Sequence, residues 1–121
     1  MNILIVDDSK AMRMIIRRTL RQAGYAALSV TEACNGSEAM ELVRREPPDL
    51  IFCDWNMPEM SGLEFIETLG REGLHARYGF VTSESSPEVR ATAEKAGAAF
   101  FITKPFTPDA FCDALEPVLN S

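Results

Sequence analysis

The chain has 121 residues, 46% of them hydrophobic and 25% charged, which is the make-up of one globular domain with room for a single buried core. Its formal net charge of −6 argues against DNA or RNA as a partner, because phosphate neutralisation needs a basic surface. No apolar run approaches the about 20 residues of a membrane helix, and "MNILIVDD" lacks the basic n-region and cleavage site of a signal peptide, so a cytoplasmic protein is expected.

In chain order, "NILIV" (2–6) is a short β-branched apolar run and reads as a buried strand. From Ser9 to Ala23 the period changes: Met12, Ile15, Ile16, Leu20 and Ala23 recur at helical spacing, and Gly24 marks the stop. Arg13, Arg17, Arg18 and Arg21 lie mostly off that stripe and read as a solvated face, with docking of an acidic patch on a kinase as the alternative. "LSV" (28–30) is a weak second strand. A turn, a Ser37 cap and a helix follow over 35–46, ended by Pro47 and Pro48.

"LIFC" (50–53) is a third strand, followed by a helix over about 61–69. "YGFV" (78–81) is a fourth strand, followed by a helix from Pro87 to Ala96 that Gly97 stops. "AFFI" (99–102) is a fifth strand. A last helix spans about 108–119 with Thr107 as its cap, and Pro117 casts its final turn into doubt. Strand–helix alternation repeated five times predicts parallel pairing, with both sheet faces covered by helices and right-handed crossovers. Cys34, Cys53 and Cys112 show no CxxC spacing, and His75 is the only histidine. Reduced thiols, with Cys53 inert in a core strand, are therefore expected rather than a zinc site or a disulfide framework.

In an open parallel sheet the strands end on one rim, where function gathers. Asp7 and Asp8 follow the first strand, Asp54 the third, Thr82 and Ser83 the fourth, and Lys104 stands just past the fifth. Each alone reads as a cap, a turn residue or a surface charge. Together they place three carboxylates, two hydroxyls and an ammonium at one edge. Crowded carboxylates resist full ionisation, and a divalent cation removes that penalty. Few hard oxygen ligands with room for water suit Mg²⁺. Such a cation beside an ammonium and a hydroxyl makes a phosphoryl-transfer arrangement. Asp54, alone on its strand, is the candidate nucleophile, and Asp7 and Asp8 the candidate metal ligands.

"ILIVDDS", "LIFCDWNMPEMSGLEFI", "FVTS" and "AFFITKPF" resemble the receiver domain of two-component response regulators, and "DWNMPEMSG" with "TKPF" is most similar to the chemotaxis-type single-domain regulators. The likeness covers nearly the whole chain. It implies a flavodoxin-like α/β sandwich of strand order 2-1-3-4-5, forming one receiver domain over residues 1–121 with no output domain. It implies that Asp54 accepts a phosphoryl group from a histidine kinase or phosphotransfer protein. Asp8 and Asp54 would then hold Mg²⁺ (or Mn²⁺) directly, Asp7 largely through water, and Asn56 through its backbone carbonyl.

The same resemblance gives Lys104 and Thr82 contacts to the phosphoryl oxygens, and it makes the Lys104–Pro105 peptide cis. Phe101 takes the switch position, often Tyr in the family. Asn56 and Glu84 would tune dephosphorylation. The readout would be a protein target bound by the surface of the fourth helix, fifth strand and fifth helix. The protein would be a monomer, or a dimer on phosphorylation, and not a classical enzyme. Departures from the pattern are the missing hydroxyl of Phe101, a long lead into the second strand ("GYAALSVTEA") and no proline before the fourth strand ("GREGLHARYGF").

Three other functions compete. A dehalogenase-like phosphatase needs an acid two residues after its nucleophile, where this chain has Asn56. A phosphorylation-independent binding module would predict a damaged rim, and a flavin carrier would need a phosphate loop after the first strand. Trp55 reads equally as a partner contact and as a lid beside the site, while Met57 and Met60 read as loop packing.

Overall fold

The computed structural model describes residues 1–119; the last two residues of the expected domain lie outside the described residues. The elements alternate as β1 (Asn2–Val6), α1 (Lys10–Gln22), β2 (Ser29–Ala33), α2 (Gly36–Arg45), β3 (Leu50–Cys53), α3 (Gly62–Arg71), β4 (Arg77–Thr82), α4 (Pro87–Ala96), β5 (Phe101–Thr103) and α5 (Pro108–Leu119). All strand pairs are parallel, in the order β2-β1-β3-β4-β5. This is the flavodoxin-like sandwich.

Strand residues alternate between two apolar layers, as a period of two requires. Ile3, Ile5, Leu50, Phe52 and Val81 face Ile16 and Leu20 of α1 and Phe111, Leu115 and Val118 of α5. Leu4, Val6, Ile51, Cys53 and Phe80 face α2 and α3, with Phe65, Ile66 and Leu69 at the centre of that layer. The chain runs from β1 outward to β2 and then returns past β1 to β3. The carboxyl ends of β1 and β3 therefore border the crevice where the winding reverses, which is where such sheets bind ligands.

Four local expectations shift. The second strand is Ser29–Ala33 rather than 28–30. Leu28 belongs to a turn closed on Tyr25, and both pack against the α1/α5 layer, which absorbs the long lead. The fifth strand is Phe101–Thr103 rather than 99–102. Helix α2 is capped by Asn35, whose side chain accepts from the Glu38 amide at 2.7 Å, and Ser37 lies inside the first turn. Helix α5 continues through Pro117 to Leu119. Its last turn is retained because Val118 is buried and its carbonyl accepts from the Arg77 guanidinium. At its other end Thr107 accepts from the Ala110 amide at 3.2 Å.

Candidate functional site

The rim is built by backbone pairing that runs one step past the strands. The Asp7 amide donates to the Ala33 carbonyl at 3.1 Å, the Asp54 amide to Val6 at 3.0 Å, and the Lys104 amide to Thr82 at 2.9 Å. Asp7, Asp54, Thr82 and Lys104 are thereby brought to one edge. Asp7 and Thr82 are 1% exposed and Asp54 9%, whereas Asp8 stands in solvent. Helix α3 closes in from behind: a Cβ on Gly62 would lie 2.1 Å from the Asp54 carbonyl oxygen. Only glycine permits that approach, because no other residue lacks the atom.

The side chains converge as the backbone directs. The Lys104 ammonium donates to Asp7 Oδ2 at 2.9 Å and to Asp54 Oδ2 at 3.2 Å. The Ser9 amide donates to Asp7 Oδ1 at 2.9 Å, and the Asn56 amide to Asp54 Oδ1 at 3.4 Å. Thr82 Oγ1 accepts from the Glu84 amide at 3.2 Å, and Asn56 Nδ2 reaches Glu84 Oε2 at 3.4 Å across the mouth of the site. The Lys104–Pro105 peptide is cis. Ser83 is exposed.

Burial alone pushes the Lys104 ammonium down. The hydrogen bond to Asp7 and the charges of Asp54 and Asp7 outweigh it, leaving Lys104 above its ordinary range and fully charged at neutral pH. Burial and the same two carboxylates push the neighbouring Cys53 thiol well up, so it stays protonated and unreactive.

Asp7, Asp8 and Asp54 each offer a carboxylate oxygen within 4.8 Å of the others, a group that could hold a metal ion. Three carboxylates face one ammonium, so two negative charges stand uncompensated. Among the described residues the Asp8 carboxylate has no hydrogen-bond or ion-pair partner. Hard oxygen donors, excess negative charge and an open side fit a small hard cation such as Mg²⁺.

Residues 3–116 match the family model of the response regulator receiver domain. The chain belongs to that family. A chemotaxis protein CheY homolog of Campylobacter jejuni is 40% identical over all of this chain and 94% of its own length. Chemotaxis protein CheY1 of Helicobacter pylori is 39% identical over all of this chain and 98% of its own. The solved structure of Vibrio cholerae chemotaxis protein CheY4 superimposes with a TM-score of 0.82 at 33% identity, over 97% of each chain. Receiver domains of this type are two-component signalling switches rather than classical enzymes.

Away from the acidic cluster of this receiver domain, Phe101 is half-buried on β5, 6.4 Å from the Phe80 ring. The Arg90 guanidinium of α4 lies over the Phe101 ring, 4.7 Å from its centroid, and donates to Thr103 Oγ1 at 2.7 Å. Trp55 packs edge-on against Phe80, 5.0 Å between centroids, and is part of the α2/α3 layer. Met57 and Met60 pack there too, and Met60 fills the space over Gly36.

The arginines expected on one solvated face of α1 divide. Arg18 and Arg21 are exposed. Arg13 and Arg17 both grip Glu32 of β2, at 2.8 Å and 2.7 Å, and Arg13 also reaches the Asp7 carbonyl at 2.7 Å. Helical phase alone could not find this pairing, because Glu32 lies 19 residues beyond Arg13. The readable hint is a lone Glu inside the second strand.

Proposed function

We propose that the protein is a phosphorylation-activated switch in which Asp54 accepts a phosphoryl group from the phosphohistidine of a kinase or phosphotransfer protein. A carboxylate oxygen of Asp54 attacks phosphorus, the P–N bond breaks, and the imidazole leaves with that electron pair and takes up a proton. The reading rests on one observation above the rest: the Lys104 ammonium bonded to both Asp7 and Asp54, with the unpartnered Asp8 beside them.

Asp7, Asp8, Asp54 and the Asn56 backbone carbonyl would hold Mg²⁺, which supplies charge neutralisation for the phosphoryl oxygens. Lys104 moves one of its two hydrogen bonds from carboxylate to phosphoryl oxygen, keeping the proton that its raised affinity secures. Thr82 turns its hydroxyl from the Glu84 amide toward the acyl phosphate. The space it leaves admits the Phe101 ring, which alters the surface of α4, β5 and α5 that a protein target reads. Asn56 and Glu84, bonded to each other at the mouth, govern water entry and so the lifetime of the acyl phosphate. The reaction would run in the cytoplasm; among the described residues no helix is long and apolar enough to cross a membrane.

The test is intact mass after incubation with acetyl phosphate and Mg²⁺. One phosphoryl adduct on the wild type and none on Asp54→Ala is expected. No adduct with steady phosphate release would replace the switch with a phosphatase. No adduct and no turnover would leave a binding module.

A further inference from the structure

The Asp8 carboxylate has no side-chain or backbone partner among the described residues, so the main chain alone aims it. One side chain grips that main chain directly. The Arg13 Nη1 donates to the Asp7 carbonyl at 2.7 Å, and this carbonyl belongs to the peptide plane joining Asp7 to Asp8. Rotation of the plane would swing the Asp8 Cα, and with it the carboxylate. The chain is steadied before the plane by the Asp7 amide on Ala33, and after it by the Ser9 amide on Asp7 Oδ1 and the Arg13 amide on the Ser9 carbonyl. The Arg13 guanidinium holds the carbonyl of the plane itself.

Arg13 is itself held rigidly. Its side chain is 14% exposed, its Nε donates to Glu32 Oε1 at 2.8 Å, and the second oxygen of Glu32 accepts from Arg17 at 2.7 Å. Its amide closes the first turn of α1 on the Ser9 carbonyl at 3.0 Å. A planar guanidinium with donors in a fixed fork can serve Glu32 and the Asp7 carbonyl at once; an ammonium has no such fork.

We propose that Arg13 is a positioning residue for the cation site, fixing the Asp7–Asp8 peptide plane so that the Asp8 carboxylate points into the cluster with Asp7 and Asp54. This rests on the reading of that cluster as a divalent-cation site. Arg13 does not touch the cation. Its charge would in fact oppose a second cation nearby, and Glu32 answers that. Burial alone would raise the Glu32 carboxyl, but the hydrogen bonds from Arg17 and Arg13 outweigh it and hold Glu32 below its usual range, ionised at neutral pH. Arg13 thus orients the acidic turn while Glu32, shared with Arg17, offsets part of its charge outside the site.

Positioning and charge predict opposite signs, which makes the role testable. Removing a cation near an acidic cluster tightens Mg²⁺ by Coulomb's law alone. Removing the residue that orients a ligand weakens it, typically by tenfold or more for a group that holds a metal ligand in place. The experiment is an MgCl₂ titration followed by Trp55 fluorescence and by the Mg²⁺-dependent rise of the urea midpoint, on wild type, Arg13→Ala and Arg13→Lys.

Mg²⁺ affinity is expected to fall about tenfold in Arg13→Ala and to fall in Arg13→Lys as well, although the charge remains. Unchanged or tighter Mg²⁺ binding by folded Arg13→Ala overturns the proposal, as does wild-type affinity in Arg13→Lys. If Arg13→Ala does not fold, Arg13→Lys decides alone. A wild type that responds to Mg²⁺ by neither measurement overturns the cation site itself, and the role of Arg13 with it.

Discussion

Helices α3 and α4 have ten residues each, both follow a rim strand, and both are capped by serine, yet they are attached to the sheet in different ways. Helix α3 buries Gly62, Phe65, Ile66 and Leu69, and Ser61 and Glu64 form a reciprocal capping box at its start. Helix α4 buries Ala93 alone. Its other attachments are peripheral: the Tyr78 hydroxyl donating to the Ala96 carbonyl, and Arg90 on Phe101 and Thr103. One helix is set into the core and backs Asp54; the other is tied on at its edges. Regions with few buried apolar contacts open at lower free energy than the core, and moving elements are drawn from them. The division therefore assigns rigidity to the acidic cluster and freedom to the face that would be read.

The comparison breaks most readily at Phe65. Phe65→Ala removes a fully buried ring and is expected to cost about 3–5 kcal/mol by urea denaturation, whereas Ala93→Gly costs about 1 kcal/mol, mainly as helix propensity. Equal losses would refute the division. Gly62→Ala drives a methyl group into the Asp54 carbonyl; a loss of about 1–3 kcal/mol is expected, together with slower phosphorylation by acetyl phosphate. Wild-type stability and rate would mean that α3 yields as easily as α4.

The caps sharpen the comparison on a finer scale. Ser61→Ala removes the 3.1 Å bond that the Glu64 amide donates to the serine hydroxyl, while the amide of residue 61 keeps its 3.3 Å bond to the Glu64 carboxylate, for a cost of about 1 kcal/mol. Ser86→Ala breaks one bond of 3.3 Å and is expected to cost less. Amide exchange should show the same order, with α4 amides exchanging well before those of α3.

The smallest effect is a pH dependence at the far end of α4. Burial raises the Tyr78 phenol above its ordinary value near 10. The folded protein therefore holds this proton more tightly than the unfolded chain. Its contribution is complete below the unfolded pKa and is lost as pH rises through the folded one. Tyr78→Phe should flatten the fall of stability above about pH 10; a profile unchanged by the substitution would remove Tyr78 from the tethers of α4.

What could be read in the residue order follows from the same physics. Interior elements were readable because their chemistry is local. "LIFC" is buried on both faces and its four residues are the strand, and Pro87 and Gly97 bracket α4 to the residue. The edge strand β2 was harder, because one side of it meets solvent and its polar residues Thr31 and Glu32 hide it among loop residues. Asn35 reads less clearly than Ser37 as the cap because Asn-Gly also reads as a turn; the cap bond from the Glu38 amide settles the cap two residues earlier. The residues at the rim were visible from strand ends alone. The support behind them was not, since Arg13, Glu32 and the Asp7 carbonyl meet only once β2 has paired with β1.

Lys104 lies 97 residues beyond Asp7 and 50 beyond Asp54. A chain emerging from the ribosome exposes both acids long before their counter-charge exists, and domains fold from the amino-terminal side as they emerge. Until β5 joins the sheet, the two carboxylates face each other without an ammonium between them. A nascent or truncated chain lacking β5 therefore carries the acids without the ammonium that bridges them.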